Sequence, residues 1–164
     1  MNETTINRAH ASTASSNHPR CVACSPAREH GWQLKFTREA DGSVNAAVDC
    51  TPEWEGYPNR LHGGAIAMLL DAAMTHCLFA NGEAAVTAEL SVRYREAVTI
   101  GCPACVKAWL VNSSSRLHRL RAELFQEDRL KAVATGTFVP LHEQGPGSQM
   151  MRERPLDNSP ANES

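Results

Sequence analysis

The sequence predicts an α+β fold in which an antiparallel sheet curls around one long helix. Three observations lead there. From Gly64 to Ala80 the chain is apolar except for Asp71, Thr75 and His76, and neither Pro nor a further Gly interrupts it. That length and continuity indicate a helix rather than a strand, and a helix apolar nearly all round is buried. Four later segments alternate apolar and polar residues, the pattern of an antiparallel sheet with one covered face. A hairpin precedes the helix. One helix against such a sheet is the α+β class, and to cover it on all sides the sheet must curl or a second copy must close what remains.

Taken in order, residues 31–36 alternate and read as a half-buried strand, Asp41-Gly42 turns, and residues 44–50 return. Residues 51–60 hold two prolines, a glycine and two aromatics, an irregular loop into the helix. Asn81-Gly82 stops the helix. Residues 86–94 then put Val86, Ala88, Leu90, Val92 and Tyr94 on one face, with Thr87, Glu89, Ser91 and Arg93 on the other. Residues 104–110, 120–124 and 130–138 direct Ala104, Val106, Ala108, Leu110, Leu120, Ala122, Leu124, Leu130, Ala132, Ala134 and Phe138 inward. Turns at 112–115 and 126–128 join these strands as a meander.

The 164 residues are one domain's length. Residues 1–19 and 142–164 are rich in small and polar residues, so disordered tails are expected around a folded domain at 20–141. A net charge of −2 gives no general attraction to nucleic acid or membrane. No secretory signal is visible, and the apolar helix falls short of the roughly 20 residues of a bilayer span. A cytoplasmic protein is expected. Of six cysteines, Cys21 and Cys24 form a C-x-x-C pair near His18 and His30, which could complete a zinc tetrahedron. One such pair is a weak signal. Cys102 and Cys105 point to opposite faces of a strand. Both pairs are read as small, partly buried thiols, with no metal and no cofactor.

The chemistry concentrates at the helix. His62-Gly63-Gly64 opens it, and unpaired N–H groups of a first helical turn favour developing negative charge. Asp71, two turns on, is a candidate base or nucleophile, and Thr87 brings a hydroxyl on the next strand. Each has a plain alternative: glycines for close packing, an aspartate bonded to Thr75 or another subunit, an ordinary strand threonine. Gly64 and Asp71 share a face but stand roughly 10 Å apart along the axis. One reacting carbonyl cannot touch both, so a shared site requires a symmetric dimer. Arg93, Arg95 and Arg116 are candidates for nucleotide phosphates on charge alone.

Residues 59–71, N-R-L-H-G-G-A-I-A-M-L-L-D, resemble the signature of hotdog-fold thioesterases of the phenylacetate-degradation (PaaI-like) group. Residues 86–94 and 98–101 fit the same pattern, and Cys21-Val-Ala-Cys24 leading to Gly31-Trp32 looks like one of its branches. The resemblance covers roughly residues 20–140. It implies a helix wrapped by a sheet, homodimers that often pair again, and hydrolysis of acyl-coenzyme A. It also implies roles: Asp71 acting on water or the thioester, the Gly63 N–H binding its oxygen, His62 holding the turn, Thr87 placing water, and Gly64 lining the substrate. The family's Asn six residues before the His is Gly56 here, and Asn59 is displaced from that position. Weighed against hydrolysis are a non-catalytic acyl-CoA-binding protein, which Gly56 keeps open, and a thioester hydratase or dehydratase, ranked low because His62 is committed to its turn.

Overall fold

The computed structural model describes residues 3–141; the expectation for residues 142–164 falls outside them. In chain order the elements are α1 (Glu3–Asn17), β1 (Thr37–Arg38), β2 (Val44–Val48), a 3₁₀ turn (Pro52–Trp54), α2 (Gly63–Ala80), β3 (Ala85–Tyr94), β4 (Ala104–Ser113), β5 (His118–Gln126) and β6 (Arg129–Pro140). Six antiparallel strands form one sheet in the order β1-β2-β4-β5-β6-β3. Its concave face holds α2 against Val44, Val106, Ala108, Leu120, Ala122, Leu124, Ala132, Ala134 and Phe138, all buried. This is the hotdog fold. By length and composition α2 could cross a membrane, but most of it is buried inside this sheet.

Both ends of α2 are fixed by the residues that the sequence places there. His62 is the N-cap, in extended conformation, and its Nδ1 accepts the Gly64 N–H at 2.9 Å. At the other end the Glu83 N–H reaches the Leu78 carbonyl and the Gly82 N–H that of Phe79, both at 3.0 Å. Gly82 has φ +77°, so this is a Schellman stop that needs glycine.

Four expectations change. Residues 3–17 form a helix where a disordered tail is predicted. Its His10 is buried and faces His76 on α2 at 3.1 Å, so α1 is held by docking rather than by an apolar stripe of its own. The strand predicted over 31–36 is irregular chain: Gln33 adopts φ +48° and Trp32 stacks on Trp54, leaving a two-residue β1. The meander contains only β4, β5 and β6, because β3 crosses to the far edge and pairs with β6. Along β3 the predicted alternation breaks at a bulge between Thr87 and Glu89, and Val86 and Tyr94 are half exposed.

The loop into α2 is braced from the sheet. Buried Gln126 bonds both the N–H and the carbonyl of Thr99 and the carbonyl of Cys102, which fixes residues 99–102. Just before them, the Val98 carbonyl accepts the Leu61 N–H at 2.9 Å, and the Trp54 carbonyl accepts that of His62 at 2.8 Å. Sheet, loop and helix cap are thus one connected support.

Candidate active site

Two side chains of β3 tie that strand to α2, one at each end. Thr87 Oγ1 donates to Asp71 Oδ1 at 2.7 Å. Tyr94 donates its hydroxyl to the Gly63 carbonyl at 2.8 Å. Antiparallel to the helix, β3 therefore marks the start of α2 with Tyr94 and its middle with Thr87. Tyr94 is a site neighbour that the sequence pattern offered only as an inward-facing strand residue.

Asp71 is partly exposed on a mostly buried helix. Burial raises its pKa above the usual carboxylate value, while the Thr87 hydrogen bond and the nearby His18 pull the other way. With Oδ1 engaged by Thr87, Oδ2 is the oxygen left for a water. Gly64, Ala67, Met68 and Asp71 are the residues of the first half of α2 that are not buried, besides Gly63. Their spacing makes one open stripe on the helix.

At the helix start the two glycines divide. The Gly64 N–H is consumed by His62, and a Cβ on Gly64 would lie 3.1 Å from that Nδ1. Gly64 thus permits the cap. The Gly63 N–H has no acceptor among the described residues, as expected for a first-turn donor. Gly56 is likewise a packing residue, since a Cβ there would meet His62 Cα and Cδ2 at 3.1 Å. Asn59 turns the same loop with φ +60°, its N–H held by Glu55 Oε1. The three arginines are exposed and form no ion pair among the described residues. They are not gathered: Arg93 and Arg95 flank Tyr94, whereas Arg116 precedes His118, whose ladder runs through Phe138 to Thr87.

A large cavity lies elsewhere. About 710 Å³ opens between α1, the turns at 18–27 and Phe36, with His10, His18, Cys24 and His76 in its wall. Asp71, Gly63 and Thr87 do not line it. The open stripe of α2 lies away from this cavity.

Residues 59–133 match the family described as the thioesterase superfamily. That match, together with the fold, supports a PaaI-like, hotdog-fold thioesterase. An acyl-coenzyme A thioesterase of Bos taurus, THEM4, is 30% identical over 92 residues, 55% of this chain and 38% of that protein. The chain thus spans well under half the length of this curated relative. A mutant of the phenylacetic acid degradation protein PaaI from Thermus thermophilus superposes with a TM-score of 0.61 at 28% identity, covering 66% of this chain and 93% of that one. A hypothetical thioesterase from Streptococcus pneumoniae TIGR4, solved with coenzyme A, gives a TM-score of 0.63 at 18% identity over 68% and 91% of the two chains, a likeness of fold alone.

Proposed function

We propose that the protein hydrolyses acyl-coenzyme A thioesters, with Asp71 as the base. The observation that carries this is the Thr87–Asp71 hydrogen bond at 2.7 Å, which orients a partly exposed carboxylate on an apolar helix. Asp71 Oδ2 takes a proton from water as the water oxygen attacks the thioester carbon. The carbonyl oxygen becomes an oxyanion facing the Gly63 N–H, with the helix dipole behind it. Collapse expels the coenzyme A thiolate, which is protonated from Asp71 or solvent, and the carboxylic acid leaves. The names and ligands of the relatives are consistent with this substrate class.

The offset between Gly63 and Asp71 makes the site a shared one. β3 is an edge strand of ten residues, and its outward-pointing backbone groups have no strand partner among the described residues. Two-fold antiparallel pairing of two such edges exchanges their ends. Thr87 and Asp71 of one protomer then stand toward Tyr94 and Gly63 of the partner subunit. The same exchange brings Arg93 and Arg95 of the partner subunit toward the Asp71 end, where they can meet coenzyme A phosphates. Further pairing of dimers needs no additional site residue.

Thiol release over aryl, short-chain and medium-chain acyl-CoAs tests the reading. Turnover of at least one class, lost in Asp71→Asn, is expected. Tight acyl-CoA binding with no release from any of them would establish the non-catalytic alternative. That alternative draws on Gly56, which contributes no side chain to the loop beside His62.

A further inference from the structure

The second half of α2 carries a group of side chains that hydrolysis does not use. Chain turns between His18 and Ser25, closed by the Cys21 N–H on the His18 carbonyl and the Ser25 N–H on the Cys21 carbonyl, bring His18, Cys21 and Cys24 together. Potential ligand atoms of His18, Cys24 and the helix residue His76 all lie within 4.8 Å of one another, and His18 Nδ1 is 3.8 Å from Cys24 Sγ. Cys21 stands on the same turns, three residues before Cys24, outside that group of three.

His76 supplies an independent sign. It is 5% exposed, and its Nε2 is buried with no partner among the described residues. A buried ring nitrogen left unpaired costs stability unless something fills the position it faces. Its other nitrogen, Nδ1, meets His10 Nε2 at 3.1 Å, the outer-shell contact that fixes the tautomer of a metal-bound imidazole.

We propose that His18, Cys24 and His76, with Cys21 as the fourth donor, bind a single zinc ion that pins residues 18–24 to α2. Two thiolates and two imidazoles are the donor set that suits zinc, and four protein ligands make a closed structural site. Ligand atoms around tetrahedral zinc stand roughly 3.3–3.8 Å apart, so the group closes by about an ångström on binding. The 710 Å³ cavity, whose wall includes three of the four donors, gives the ion a way in. Cys21 and His30 both lie outside the group of three, but Cys21 shares the turns that carry His18 and Cys24.

The test uses the full chain, stripped with a chelator under reductant and titrated with Zn²⁺ and with Co²⁺. One equivalent per chain is expected, with thiolate-to-cobalt charge transfer and tetrahedral ligand-field absorption. Cys24→Ser and His18→Gln should each weaken binding at least about a hundredfold, whereas Cys105→Ser, on the exposed face of β4, should not. Cys21→Ser should lower the charge-transfer intensity by about half while leaving cobalt bound more weakly. Because His18 is only partly buried, His18→Gln keeps the test valid if the Cys24 variant does not fold. Absence of a stoichiometric ion, or equal binding by His18→Gln and Cys105→Ser, would overturn the proposal.

Discussion

The two halves of α2 share one sequence character and have opposite surroundings. In the second half every residue from Ala72 to Phe79 is buried. Beneath α1, His76 is stacked on Phe36 at 4.2 Å and set edge-on to Phe79, and burial with two neighbouring imidazoles pushes its pKa down to about 3. In the first half one stripe stays open and holds a carboxylate. A polar group in the covered half answers to its own chain, through His10 and the turns at 18–25. The carboxylate in the open half is hydrogen-bonded to Thr87 through one oxygen, with His18 nearby, and its other oxygen faces the open side. The apolar run therefore does two jobs: its second half anchors the fold and its first half presents chemistry.

Substitutions in each half should separate those jobs. Asp71→Asn should leave the melting temperature nearly unchanged and reduce kcat/KM for the preferred acyl-CoA by roughly 10²–10⁴-fold, the usual effect of removing a general base. Phe79→Ala should do the reverse. Phe79 is 2% exposed, and a cavity there costs about 3–5 kcal/mol by denaturant unfolding, a large share of a domain's typical margin. An Asp71→Asn protein that unfolds like Phe79→Ala would erase the distinction between the halves.

The pH dependence of Asp71 sharpens it further. Its pKa is raised by burial, so the ionised base is lost as pH falls through that raised value, and the acid limb of kcat/KM should lie above the usual carboxylate range. Thr87→Val removes the hydrogen bond that holds the pKa down and should move the limb to still higher pH. Stability runs the other way. With the folded pKa above the unfolded one, the group favours the fold most at low pH, and that contribution is lost as pH rises through the folded pKa. One residue thus gives opposite slopes for activity and stability, which paired pH profiles of the two proteins can check.

The smallest expected effect is at the helix start. Tyr94→Phe deletes the 2.8 Å bond to the Gly63 carbonyl. A single hydrogen bond of this kind contributes about 1 kcal/mol, so a loss of about fivefold in kcat is expected, with KM little changed. A KM effect alone would move Tyr94 from orienting the turn to binding substrate.

Much of this was readable from residue order because it rests on local rules. The unbroken apolar run, the His62 cap and the Asn81-Gly82 stop set α2 to within a residue, and period-two alternation gave the strands that line it. What escaped depends on distant partners. Residues 3–17 lack an apolar face, and their order comes from His10 meeting His76, sixty-six positions away. Trp32 left its alternating pattern to stack on Trp54. The position of β3 beside β6 is a choice of partner that alternation does not encode. At the site, Thr87 was legible only as a hydroxyl on the strand after Asp71, with an ordinary alternative, whereas its bond to Asp71, the loss of the Gly64 N–H to His62 and the contact of Gly56 with His62 needed coordinates.

The central claim is that Asp71 works with Gly63 of another subunit. It is tested by mixing two inactive variants. Gly63→Pro removes the donor N–H at a position where proline suits a helix, and His62 before it already has the extended conformation that precedes proline (φ −62°, ψ 136°). Refolded together at equal amounts, Gly63→Pro and Asp71→Asn chains form mixed dimers in which one of two sites has both groups intact. Recovery of about a quarter of wild-type activity is expected. No recovery from mixed dimers, with each variant folded and dimeric, would contradict it.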